Sequence, residues 1–354
     1  MLNFANVFSQ SSWTDRLYVE SDYHIGYNIP TVKPIEYFIT EHITGYQINI
    51  GLLSDGQKKW QHDYNYPRMG FGFYHSGLGN PDIFGDVNAL YFYVDRYFFK
   101  QSSRFNIGNR LEYGLGYVSR VNNLQTNPFN TAISSHINVY LNYSLDAIVR
   151  ITPLLQIKIG MGFSHLSNGR FYEPNKGLNF ITTFAGLQYS LNDQVKYTAQ
   201  NDVKEEDLSK NKFIITLGGG EKQIYRKRSD RYMVTALSTE YSRKVFANGY
   251  IGLAVNAYYD SSLGKELEYK GETSTNADKL RISLNISYEI QMGRFSYIFQ
   301  PGYYLKNSFR IKNDMTNRLG LRYALTNHWL TSVTVKAHWL SVADFVEWGI
   351  GYRF

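Results

Sequence analysis

The stretch Leu280-Arg281-Ile282-Ser283-Leu284-Asn285-Ile286-Ser287-Tyr288-Glu289-Ile290-Gln291-Met292 decides the fold. Its even positions are apolar throughout and its odd positions are polar throughout. A strand sends successive side chains to opposite faces, so this run builds one apolar and one polar face, which a helix cannot do. Residues 137–149 repeat the pattern, with Ile137, Val139, Leu141, Tyr143, Leu145, Ala147 and Val149 set against Asn138, Tyr140, Asn142, Ser144 and Asp146. Phe105–Tyr117 sets Ile107, Leu111, Tyr113 and Leu115 against Gly108, Arg110, Glu112 and Gly114. The last run sets Val346, Trp348, Ile350, Tyr352 and Phe354 against Glu347, Gly349, Gly351 and Arg353. Counted this way, the chain carries roughly sixteen strands.

Two architectures use such strands. In a soluble β-sandwich the apolar face is a core. In a transmembrane antiparallel β-barrel it meets lipid, and the polar face lines the interior. Runs of about 10 to 14 residues suit a tilted bilayer crossing. The polar faces carry opposite charges close together (Arg110 with Glu112, Arg281 with Glu289, Glu347 with Arg353), as a filled interior requires. The terminal aromatic strand ending in Phe354 resembles the C-terminal signature of bacterial outer-membrane proteins. The sequence therefore reads as all-β, a transmembrane barrel of about 14–16 strands. One large barrel is preferred, with two tandem eight-stranded barrels as the alternative.

Composition agrees. The 354 residues include 31 Tyr, 22 Phe, 5 Trp and 29 Gly, with a net charge of +7 and no Cys. Mean hydropathy is −0.36, because the polar half of each strand offsets the apolar half. Without cysteine there is no disulfide framework, thiolate metal site or thiol nucleophile. No apolar run is long enough for a membrane helix. Met1–Asn6 lacks a basic region followed by an apolar core. Either the protein is not exported or this is a mature form with an added start methionine, and the expected outer-membrane location favours the second.

Loop lengths orient the barrel. Tight connections fall at Lys100–Arg104, Thr152–Pro153, Phe246–Gly249, Gly293–Arg294 and Thr326–His328. Longer ones fall at His75–Asp86, Arg120–Ser135, Ser167–Gly177, Ser261–Lys279 and Lys306–Asn317. Short periplasmic turns and long outer loops are the rule for such barrels. Ser54–Tyr66 and Asn192–Lys212 break it, and the second, holding Lys204-Glu205-Glu206-Asp207, reads as a linker.

One outward row ends unusually. Leu155, Ile157, Ile159, Met161 and Phe163 are followed at the same parity by His165 and Ser167. Polar side chains on a lipid-facing row are costly unless interfacial or functional. Residues i and i+2 project side by side, so an imidazole can take the proton of a neighbouring hydroxyl and make it nucleophilic. The next strand carries Ile181, Thr183, Ala185 and Leu187 outward, and the same parity sets Asn179 beside His165. An interfacial hydrogen-bonding pair is the competing reading.

The run His165-Leu166-Ser167-Asn168-Gly169-Arg170-Phe171-Tyr172-Glu173-Pro174-Asn175-Lys176-Gly177-Leu178-Asn179 resembles the signature of the PagL-type lipid A 3-O-deacylases. It shares the His-x-Ser-Asn core, a Pro-Asn-x-Gly turn and the strand that follows. His75-Ser76-Gly77-Leu78-Gly79-Asn80-Pro81 resembles the larger Bacteroidetes-type acyloxyacyl hydrolases. The resemblance spans about residues 15–192. It implies an outer-membrane serine esterase acting on lipid A or lipopolysaccharide at the barrel's lipid-facing surface, with Ser167 as nucleophile, His165 as base and Asn168 as an oxyanion donor. The backbone amides around Gly169 are an equal alternative for the last role. The family's acid position holds Asn179 here, which can fix the imidazole tautomer but adds no charge. Glu173 is the nearest other acid. The expected organisation is a PagL-like deacylase unit over 1–192, a periplasmic linker or turn over 193–212, and C-terminal barrel strands over 213–354.

Other signals are weaker. The histidines show no metal-ligand spacing, and no cofactor is implied. Asp260, Glu266 and Glu268 could hold calcium, although a solvated loop is the commoner role. Gly218-Gly219-Gly220 lies on a strand and marks a barrel bend rather than a phosphate loop. Lys33, Arg120, Arg170, Lys176, Arg226, Lys227 and Arg228 could meet lipid A phosphates. The basic residues form no stripe, so nucleic acid is not indicated. A homodimer is compatible with the sequence. A non-enzymatic barrel, a pore or surface-binding protein with a degenerate motif, is the alternative function.

Overall fold

The computed structural model describes residues 12–100, 102–192, 197–198, 209–224, 230–309, 314–339 and 342–354. Eight antiparallel strands close into a first barrel: β1 (Leu17–Ile29), β2 (Ile43–Leu52), β3 (Arg68–Gly77), β4 (Asp86–Tyr97), β5 (Phe105–Val118), β6 (Ile137–Arg150), β7 (Leu155–Ser167) and β8 (Leu178–Ser190). Eight more close into a second: β9 (Asn211–Gln223), β10 (Arg231–Phe246), β11 (Gly249–Asp260), β12 (Leu280–Met292), β13 (Phe295–Lys306), β14 (Met315–Ala324), β15 (Trp329–His338) and β16 (Val342–Arg353). The strand count agrees with the alternation, and β12 has the bounds of the run quoted first. The preference for one large barrel is corrected. β8 returns to β1, from Tyr18 opposite Ser190 to Ile29 opposite Asn179. Strand β9 pairs with both β10 and β16. Alternation is identical in either closure, and only these long-range pairings distinguish them. Most of the expected linker, including Lys204–Asp207, lies outside the described residues.

Each barrel is polar inside and apolar outside. In the first, Arg110 pairs with Asp95 and reaches Glu20 at 2.7 Å, and Lys158 reaches Glu20 at 3.0 Å. Glu112 accepts hydrogen bonds from Gln47 (2.7 Å) and Tyr140 (3.1 Å). Gly72 leaves room for inward rings, since a Cβ there would run into Tyr91 and Asn49. In the second, Asp344 binds Lys222 (2.7 Å), Arg281 (3.0 Å), Lys336 (2.5 Å) and His338 (3.1 Å). Arg318 pairs with Glu347, while Lys212 and Arg322 share Glu289 at 3.0 and 3.1 Å.

The expected pairings along single strands are largely replaced. Arg110 does lie 3.8 Å from Glu112, but its shorter contacts go to Asp95 and Glu20. Arg281 binds Asp260 and Asp344 rather than Glu289, and Glu347 binds Arg318 rather than Arg353. Residues two apart on a strand are separated by about 6.6 Å of backbone rise, so shorter contacts come from neighbouring strands or across the lumen. Buried charges matched in this way avoid the penalty of an unpaired ion. On the outside, Val19, Tyr23, Ile25 and Tyr27 of β1 and Leu253, Leu284 and Ile286 of the second barrel are exposed, forming the wall that meets lipid.

By packing, the chain divides into two compact units. The first carries the β1–β8 barrel, running to Leu166 on β7 and resuming at Leu178 on β8. The second carries the β9–β16 barrel together with the loop segments Val121–Asn138 and Ser167–Gly177.

Candidate active site

β7 and β8 build the site by register. His165 lies directly opposite Asn179, at the rim where Asn179 also faces Ile29 of β1. His165 Nδ1 is 2.6 Å from Asn179 Oδ1. A carboxamide oxygen only accepts, so Nδ1 carries the proton and Nε2 keeps its lone pair. Along β7 the outward row runs Ile157, Ile159, Met161 and Phe163, at 42, 57, 50 and 44% exposure. Cover then increases: His165 is half-buried, and Ser167, two residues further on, is only 9% exposed. The parity read from the sequence places His165 on the lipid-facing row.

Asn168 is buried in the turn that follows. Its Nδ2 donates to Ser135 Oγ (3.0 Å) and Ser134 Oγ (3.3 Å), and its Oδ1 accepts from the Tyr172 N–H (3.4 Å). Its own peptide N–H donates to Asn175 Oδ1 (3.1 Å). Glu173 is engaged elsewhere: Oε1 accepts from Arg170 Nε (2.9 Å) and Oε2 from the Asn175 N–H (3.2 Å). The residue bonded to the imidazole is therefore Asn179. Ser134, Ser135 and Asn175 complete the surroundings of Asn168. Asn175 stood in the Pro-Asn-x-Gly turn, but nothing local signals the two serines.

Two features of the same first barrel bear on the other sequence signals. His75 Nδ1 lies 3.0 Å from Asn88 Oδ1, opposite it across β3 and β4. This second outward His–Asn pair has Gly77 where the serine would stand, so it holds no hydroxyl nucleophile. The adjoining Asn80 is a loop clamp: its Oδ1 accepts from the Asp82 and Ile83 N–H groups, and its Nδ2 donates to Phe38 O.

In the second unit, the carboxylates considered for calcium already face cations. Asp260 binds Lys222 (2.6 Å) and Arg281, Glu266 lies 3.6 Å from Arg170, and Glu268 binds Lys265 (2.6 Å). Burial pushes the Glu266 carboxyl above its ordinary range, against the pull of Lys222 and Arg170. Burial opposes the Arg170 charge, but Asp344, Glu173 and Glu266 outweigh it and hold the guanidinium above its usual value. Of the basic residues proposed for phosphates, Lys33, Arg120 and Lys176 are exposed. Arg226, Lys227 and Arg228 lie outside the described residues.

Fold and site together define a class: outer-membrane-type β-barrels, the first carrying a histidine–asparagine pair on its outward row. Two family models match the chain. Lipid A 3-O-deacylase (PagL) matches residues 44–188, and Acyloxyacyl hydrolase, C-terminal domain, matches residues 211–354. The chain belongs to this PagL-type family, and the match extends past residue 192, where the sequence resemblance stopped. No curated protein matches it. Among solved structures, Neisserial surface protein A (NspA) is similar at 12% identity and TM-score 0.32, over 49% of this chain and 97% of that one. A mutant of the Rh. blastica porin is similar at 8% identity and TM-score 0.19, over 96% of this chain and 99% of that one.

Proposed function

We propose that this protein is an outer-membrane serine esterase that removes an ester-linked acyl chain from lipid A or lipopolysaccharide. The observation carrying the reading is the His165–Asn179 pair at 2.6 Å on the outward row that continues to Ser167, inside the region matched by the deacylase family. Ser167 Oγ attacks the acyl carbonyl carbon while His165 Nε2 takes the hydroxyl proton. The C–O bond to the sugar then breaks, and His165 returns the proton to the departing sugar oxygen. Water, deprotonated by the same nitrogen, attacks the acyl-serine, releasing the fatty acid and regenerating Ser167. Asn179 holds the imidazole tautomer throughout. The Asn168 carboxamide donates to the oxyanion by exchanging the Ser134 and Ser135 hydroxyls for the substrate oxygen.

An outward-facing site suits a lipid already in the outer leaflet, which reaches it laterally. The charged networks filling both lumens weigh against the pore alternative. The test is a serine-directed fluorophosphonate on purified protein in detergent: the adduct should map to Ser167 and be lost in His165→Ala. Asn168→Ala should lower kcat for lipopolysaccharide by about 10²–10³, the usual cost of one oxyanion donor. Labelling elsewhere, or undiminished labelling in His165→Ala, would remove the basis for the reading.

A further inference from the structure

We propose that Arg170 is the positioning residue of this site, the side chain through which the β9–β16 barrel fixes the segment following the nucleophile. The proposal rests on the esterase reading above. Gly169 and Arg170 are consecutive residues of positive φ, +62° and +69°. For arginine that conformation is strained and persists only where the surroundings over-determine it. Here they do, within the second unit. The Arg170 carbonyl accepts from the Gln223 N–H at 3.0 Å, and Gln223 Oε1 accepts from the Glu173 N–H at 2.8 Å. The guanidinium lies 3.6 Å from Glu266 and 3.8 Å from Asp344. Gly169 sits so close to β16 that a Cβ there would run into the Val346 side chain.

From Arg170 a continuous chain of bonds leads back toward the nucleophile. Arg170 Nε donates to Glu173 Oε1, Glu173 Oε2 accepts from the Asn175 N–H, and Asn175 Oδ1 accepts from the Asn168 N–H. Asn168 is the residue next to Ser167. The carboxylates of the second barrel therefore anchor the guanidinium, and the guanidinium sets the turn that carries the proposed oxyanion donor. This gives the β9–β16 barrel a task in the reaction without contacting substrate. The fork of an arginine suits several acceptors at fixed angles, and a lysine supplies only a point charge.

The experiment compares wild type with Arg170→Ala, Arg170→Lys, Gln223→Ala and Ser167→Ala, each purified and checked for folding by heat-modifiable gel mobility. Steady-state hydrolysis of lipopolysaccharide gives kcat and KM, and fluorophosphonate labelling of Ser167 gives nucleophile competence independently of the lipid. Arg170→Ala should lower kcat at least about tenfold with KM within about twofold, and slow labelling in the same proportion. Arg170→Lys should recover only part of the loss, and Gln223→Ala should move both readouts in the same direction, which keeps the test standing if Arg170→Ala does not fold. A kcat within twofold of wild type, or a loss confined to KM, overturns the proposal while leaving the esterase reading intact. Activity surviving in Ser167→Ala overturns both.

Discussion

At the scale of single residues, Asn179 places a neutral oxygen 2.6 Å from His165 Nδ1. In the proposed reaction it orients the ring but, being neutral, adds no charge to stabilise the imidazolium. In a serine protease, replacing the triad aspartate by asparagine costs about 10⁴ in kcat. Asn179→Asp is therefore expected to raise kcat by about tenfold or more, and Asn179→Ala to lower it, in parallel assays on lipopolysaccharide. Equal rates for all three would mean that the pair is only an interfacial hydrogen bond. This dyad was legible in the sequence because parity and a hairpin suffice to set residue 179 beside residue 165. The partners of Asn168 were not legible: Ser134 and Ser135 lie more than thirty residues upstream, and no local pattern connects them.

At the scale of elements, each strand carries two chemistries, and β7 shows both. Ile157, Ile159 and Met161 point outward, while Gln156 and the ion-paired Lys158 point inward. Ile159→Arg would set a charge on the lipid-facing wall, where such a change near the midplane costs about 2–4 kcal/mol. Urea unfolding of protein refolded into bilayers should show that loss, and an unchanged midpoint would contradict the outward assignment. Strand bounds such as Leu280–Met292 were readable because alternation is local. Ion-pair partners were not. Arg281 is separated in sequence from both Asp260 and Asp344, and only barrel closure brings them together.

At the scale of the whole molecule, sixteen strands were countable, but their closure was not. Two barrels form because β8 pairs with β1 and β16 with β9, and no periodicity encodes those edges. The lumens are filled by charge networks together with buried rings such as Tyr74 and Tyr140 in the first barrel and Tyr258 and Phe345 in the second. Arg318 alone donates to Glu347, Ser238, Asn256 and Gln300. Arg318→Ala leaves Glu347 buried without its cation and should destabilise the second barrel by about 3–5 kcal/mol, read as a lowered urea midpoint. A shift under about 1 kcal/mol would show that the network is dispensable.

We propose that Ser167, at the end of β7, cleaves an acyl ester of lipid A. Mass spectrometry of lipid A from lipopolysaccharide incubated with the purified protein tests it most directly. Wild type should shift the lipid A by the loss of one acyl chain, and Ser167→Ala should leave it unchanged. Intact lipid A after incubation with wild type, or the same loss with Ser167→Ala, would contradict it.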